Sequence, residues 1–190
     1  MEFIGSKTEK NLLASFAGES QARNRYTFFA SVAKKEGYEQ IAAIFDETAA
    51  NEKEHAELFF KQLRGGVTEI TATYPAGIIA STVVNLKEAA EGEKLEWSTL
   101  YPNFASVARE EGFTDVANTF SMVAEVEADH ERRFRKLLEN VQTDRVFKKS
   151  NPIKWKCRNC GMVITGSEVP DKCPTCAHAR AYFEIWTENY

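Results

Sequence analysis

Apolar residues recur every three or four positions through four long stretches of the chain, as at Ile41, Ile44 and Phe45, with charged residues between them. That spacing gathers the apolar side chains into one stripe along a helix. Helices are predicted over 6–36, 38–64, 81–111 and 114 to about 142. The first opens on Ser6-Lys7-Thr8-Glu9, the pattern of a capping box in which Ser6 and Glu9 satisfy each other's backbone N–H. Gly37, Gly65-Gly66 and Gly112 follow three of the ends, where a left-handed residue stops a helix. From about residue 151 the helical period stops, and cysteine, proline, glycine and aromatic residues take over.

The connections predict a topology. Short joints at Gly37 and Gly112 make helices one and two, and three and four, antiparallel neighbours. Residues 65–80 separate helices two and three and reach roughly 50 Å when extended. The second helix is roughly 40 Å long. A single crossover able to run the bundle's length is the ferritin-like variant of the four-helix bundle. The halves also repeat. Phe29–Gly37 matches Phe104–Gly112 at seven of nine positions with an offset of 75, and Tyr26 maps onto Tyr101. Glu19 precedes Tyr26 by seven residues but Glu93 precedes Tyr101 by eight, which predicts a π-bulge in helix three that turns Glu93 and Glu96 inward.

Composition removes several classes of function. A net charge of −4 gives no electrostatic case for nucleic acid. Residues 1–10 are polar, and the longest smooth apolar run, 76–80, is far too short to cross a bilayer. A cytoplasmic protein without a membrane partner is expected. All four cysteines fall between Cys157 and Cys176, which reads as a metal site and not as a disulfide framework.

The repeat carries chemistry. Glu52-x-x-His55 maps onto Glu127-x-x-His130, using two of the three histidines. Residues three apart share a helical face, so each carboxylate–imidazole pair can hold a metal. Glu19 on helix one, and Glu93 and Glu96 on helix three, supply facing carboxylates. One Glu from each of two helices and Glu-x-x-His from each of the others is the di-iron and di-manganese pattern of ferritin-like proteins. Five inward carboxylates without cations would repel one another. Lys53, Glu54 and Glu131 read as solvated surface. Tyr26 and Tyr101 have two readings, as packing or as hydroxyl donors to the ligand carboxylates. Carboxylate with imidazole suits iron or manganese ahead of zinc. In the tail, Cys157-x-x-Cys160 and Cys173-x-x-Cys176 present four thiolates to one metal, iron or zinc. Trp155, Tyr182, Phe183 and Trp186 are expected to cover them, and His178 to lie on ordinary surface.

With all these motifs in this order, the chain resembles the rubrerythrin family over essentially its whole length. The resemblance implies an all-α ferritin-like bundle over 1–148 and a small β-rich rubredoxin-like domain over 149–190. It implies a di-iron peroxidase reducing hydrogen peroxide to water, with electrons entering at an iron held by Cys157, Cys160, Cys173 and Cys176. Glu19, Glu52, Glu93, Glu127 and His130 are then iron ligands. His55 and Glu96 exchange at one iron, with Tyr26 and Tyr101 beside the site. A head-to-tail homodimer or higher oligomer is implied, as is a donor such as a rubredoxin or a nicotinamide-dependent reductase. The alternatives are ferritin-like iron oxidation and storage, and a structural bundle carrying a zinc ribbon.

Overall fold

The computed structural model describes residues 2–189. Helix α1 spans Lys7–Lys35 and α2 spans Glu39–Lys61. The third rod is one continuous element: α3 at Thr82–Leu95, a π-helical stretch at Glu96–Leu100 and α4 at Tyr101–Glu110. Helix α5 runs Thr114–Gln142. The expected fourfold bundle and π-bulge are both present. Helix α2 stops three residues before the predicted end, where Gln62 and Leu63 donate to carbonyls three residues back. The tighter turn leads into Gly65 and Gly66, both at positive φ. Residues 62–81 form the crossover without regular secondary structure.

Caps set where the rods start and stop. Ser6 Oγ accepts from Glu9 N at 3.0 Å, but the Glu9 carboxylate accepts from Gly5 N at 2.6 Å, not from Ser6. Ser6 N is already spent on Phe3 O, so the predicted reciprocal box forms only in half. At both hairpin turns a left-handed glycine reverses the chain. Tyr38 N then donates to Ala33 O at 2.9 Å, and Phe113 N to Ala108 O at 2.8 Å. The hairpins also cap each other. Glu36 accepts from Thr82 N at 3.0 Å, and Glu111 accepts from Thr8 N at 2.8 Å.

Two aromatic quartets divide the core. Tyr26, Phe29, Phe45 and Phe134 pack at one level, with Phe45 and Phe134 centroids 5.1 Å apart. Tyr101, Phe104, Phe120 and Phe59 pack at the other, with Phe59 and Phe120 also 5.1 Å apart. An offset of 75 converts one quartet into the other, and each includes one phenylalanine from the opposite hairpin.

The tail is an antiparallel sheet in the order β2-β1-β3, from Val163–Glu168, Lys148–Cys157 and Phe183–Ile185. Trp155, Val169 and Phe183 form its core, and Trp155 Nε1 donates to Gly166 O at 2.8 Å. Trp186 is not in that core. It lies one residue beyond the end of β3, partly exposed, with Lys156 Nζ 5.2 Å from its ring centre. The tail rests on the α1–α2 turn, where Phe147 stacks on Tyr38 at 6.1 Å.

Candidate metal centre

The stripes that build the quartets also carry the acids. On α2 the buried series runs Thr48, Glu52, His55, Phe59, and on α5 it runs Phe120, Val123, Glu127, His130, Phe134. Glu19, Glu52, Glu93 and Glu127 are at most 1% exposed. They form a charged layer between the two quartets. His55 Nδ1 lies 3.0 Å from Glu52 and 2.7 Å from Glu127. His130 Nδ1 lies 2.7 Å from Glu127 and 3.2 Å from Glu52.

Two donor sets emerge, each with ligand atoms within 4.8 Å of one another. One is Glu19, Glu52, His55 and Glu127, and the other is Glu52, Glu93, Glu127 and His130. Glu52 and Glu127 belong to both, the placement of bridging ligands. Both Glu127 oxygens, one oxygen each of Glu19, Glu52 and Glu93, and His130 Nδ1 are buried without a hydrogen bond. They approach their neighbours closely but out of line for N–H···O bonding. Ligands held about 2.1 Å from one cation in octahedral geometry stand about 3 Å apart, as these do. The residues present fit a pair of metals.

The electrostatics of the metal-free layer agree. Burial, and then neighbouring carboxylates, hold Glu19 and Glu93 well above the usual carboxyl range. Glu52 is buried too, but the imidazoles of His130 and His55 outweigh that and bring it to about 2. Burial works against charge on His55 and His130, yet Glu127 and Glu52 raise them to about 10 and about 9. Without metal, protons on the imidazoles and on some carboxyls take the cations' place.

Tyr26 donates its hydroxyl to Glu93, and Tyr101 donates to Glu19. Both readings of the tyrosines therefore hold, since each ring also packs in a quartet. Glu96 joins neither donor set, whereas His55 completes the set of Glu19, Glu52 and Glu127. The Glu96 carboxyl is partly buried beside Glu93. Burial and the charges of Glu127 and Glu52 raise it to about 8.

Glu131 corrects the sequence reading. Its side chain is only 12% exposed, accepting from Trp97 Nε1 at 2.6 Å and from Arg135 at 2.5 Å. Trp97 sits inside the π-helical stretch, so Glu131 fastens that stretch to α5. Nothing in the sequence around Glu131 separates it from the other acids of α5. Glu54 and Lys53 are exposed, as expected.

The four cysteines meet in the tail. Cys157 and Cys176 sulfurs are 3.8 Å apart, and those of Cys160 and Cys173 are 3.6 Å apart. A disulfide would be about 2 Å. Four thiolates about 2.3 Å from a tetrahedral metal stand about 3.8 Å apart, so the set fits one ion. The two turns are alike: Gly161 N donates to Cys157 O, and Ala177 N to Cys173 O. Gly161 and Ala177 follow them with φ of +79° and +57°. His178 is exposed, as expected.

The rubrerythrin family model matches residues 10–138, and the model of the rubrerythrin rubredoxin-like domain matches 155–184. The chain belongs to the rubrerythrin family. A rubrerythrin of Porphyromonas gingivalis is 61% identical over 98% of this chain and 93% of its own length. One from Nitratidesulfovibrio vulgaris is 51% identical over 98% of this chain and 97% of its own. Among solved structures, mixed-valence nigerythrin aligns with a TM-score of 0.63 at 31% identity, covering 97% of this chain and 88% of its own. As in other rubrerythrins, the donor sets are a di-iron carboxylate–histidine site in the bundle and a rubredoxin-like four-cysteine site in the tail. No helix among the described residues is long and apolar enough to cross a membrane.

Proposed function

We propose that the chain is a cytoplasmic peroxidase in which hydrogen peroxide takes up two electrons and two protons and leaves as two waters. The observation that carries this reading is two donor sets sharing Glu52 and Glu127, joined in one chain to a four-cysteine site. When bound, the iron pair supplies two electrons to one O–O bond, and the iron at the cysteines relays electrons singly. Glu52 and Glu127, common to both donor sets, would hold the two metals together, and Glu19 and Glu93 would each complete one set. Tyr26 and Tyr101 keep those last two carboxylates aimed. The aromatic quartets exclude water above and below. His55 and Glu96 would be alternative donors to one of the metals. Glu96, outside both donor sets, would hold a proton at its carboxyl oxygen for the departing oxygen.

We divide the chain at 148/149 into the bundle and the electron-entry domain. The tail packs at Tyr38, fourteen residues before Glu52 on the same helix line, so it stands about 20 Å from the acidic layer. A head-to-tail homodimer would bring each tail to its partner's layer. A rubredoxin or a nicotinamide-dependent reductase would feed it. Iron storage accounts less well for the tail, because sequestration needs no route for electrons back to the pair.

The test is Cys160→Ser in the full chain. Retained bundle iron with lost steady-state peroxide turnover supports the reading, and normal turnover refutes the electron route. A tail found to hold only colourless zinc in the active protein would refute it equally. Preference of the reduced pair for oxygen over peroxide would favour storage.

A further inference from the structure

A cavity of about 190 Å³ lies between α1, the third rod and the crossover, roofed by residues 71–75. Glu96 and Tyr101 border it, and Tyr101 is the residue that holds Glu19. Its other walls include Gly18, Gly92 and Ser15. Gly18 directly precedes Glu19, and Gly92 directly precedes Glu93. Both are helix-interior positions, where glycine weakens a helix relative to alanine. Neither has the positive φ that calls for glycine. Crowding does not call for it either. A Cβ on Gly18 would meet nothing within 4 Å, and one on Gly92 would first meet the Arg25 guanidinium at 3.6 Å. What the missing side chains preserve is the space itself. One turn before Gly18, Ser15 is 4% exposed, and its hydroxyl has no hydrogen-bond partner. A buried hydroxyl left unsatisfied is costly unless a small polar molecule visits it.

We infer that this cavity is the entry site for a small neutral hydroperoxide, with Ser15 as its polar contact and Gly18 setting the size admitted. No lysine, arginine or histidine among the described residues lines the cavity, so nothing at its walls attracts an anion. Liquid water occupies about 30 Å³ per molecule, so the cavity takes hydrogen peroxide readily and a four-carbon hydroperoxide tightly. The inference rests on the peroxidase reading.

The experiment compares the iron-loaded full chain with Gly18→Ala and Gly18→Leu. Single-turnover oxidation of the reduced protein is followed with hydrogen peroxide and with tert-butyl hydroperoxide. Selectivity for the smaller peroxide should rise from the native chain to Gly18→Ala and again to Gly18→Leu. In Gly18→Leu the hydrogen peroxide rate should itself fall about tenfold, the scale at which a pocket senses added methylenes. Reduction of the pair through the tail should keep its rate. Crystals pressurised with xenon should show an atom between Ser15 and Gly18 in the native protein and none in Gly18→Leu. A Gly18→Leu variant with native helicity, iron content and peroxide rate overturns the inference. Should Gly18→Leu fail to fold, unchanged selectivity in Gly18→Ala overturns it instead. A native protein inert to both peroxides sinks the peroxidase reading, while xenon still decides whether the space is open.

Discussion

The first hairpin runs from Glu19 to Tyr26 in seven residues, and the second runs from Glu93 to Tyr101 in eight. Before that extra residue the halves align at an offset of 74, as with Thr8 and Thr82 or Gly18 and Gly92; after it the offset is 75. The π-helical stretch absorbs the difference without disturbing either quartet. It also presents Glu96, whose counterpart three residues after Glu19 is Ala22. The comparison shows how an almost symmetric scaffold acquires one asymmetric carboxylate, which stands at the cavity and outside both donor sets.

The strongest test of the symmetry is metal content. Glu127→Ala removes a donor from both sets, so iron in the bundle should fall to near zero, measured by elemental analysis. Glu19→Ala touches one set and should cost about half of it. Equal losses would break the assignment of Glu127 as shared.

Deleting Ser98 would give both hairpins the same length. Seven α-helical residues at about 100° each bring the chain back to nearly the same face, as they do between Glu19 and Tyr26, so the deletion should close the π-helical stretch into a regular helix and keep Tyr101 on Glu19. Glu96 should then take the place that Ala22 holds in the first hairpin, with the thermal midpoint within a few degrees of the native one. A midpoint lower by about 10 °C or more would show that the extra residue is needed to hold the fold.

The metal-stripped protein should titrate as one coupled layer. His55 and His130 are raised from 6.5 to about 10 and about 9, so their contribution is complete below pH 6.5 and is lost as pH rises through 9 to 10. Glu19 and Glu93, also raised, act in the same direction. Glu52, lowered to about 2, contributes above pH 4.5 and fails only as pH falls toward 2. Melting of stripped protein should therefore drop by on the order of 10 °C between pH 6 and pH 10. The iron-loaded form should not follow, since metal replaces those protons.

In the iron-loaded protein, where metal would keep Glu93 and Glu19 ionised, Tyr26→Phe and Tyr101→Phe should each cost about 1.5–3 kcal/mol, the worth of a buried hydrogen bond to a charged acceptor. Denaturant unfolding of the two variants should agree closely. A clear inequality would mean that the π-helical side has relaxed its tyrosine–carboxylate bond.

The rods, the six ligands that make up the two sets and the bulge were legible because each rests on counting: a 3.6-residue period, a repeat and a break in that repeat. What escaped depends on where side chains end. Glu131 looked like any acid on a charged helix until Trp97 was found against it. Trp186 shares the composition of the tail core but follows the last strand residue. Glu9 misses Ser6 N because Phe3 O has already taken that donor. Gly18 and Gly92 gave no stop signal and no turn. Their meaning appears only once the crossover is seen to roof the space between them.

Neither hairpin closes its own contacts. Glu36 and Glu111 cap the opposite first rods, Tyr26 and Tyr101 hold the opposite carboxylates, and Phe134 and Phe59 complete the opposite quartets. Everything one hairpin lacks, a second copy related by a twofold axis would supply. The crossover thus acts as a tether, converting an encounter between two equals into a unimolecular event at high effective concentration. Cut within residues 65–70, the bundle should persist as a noncovalent pair of fragments that separates only on dilution or denaturation.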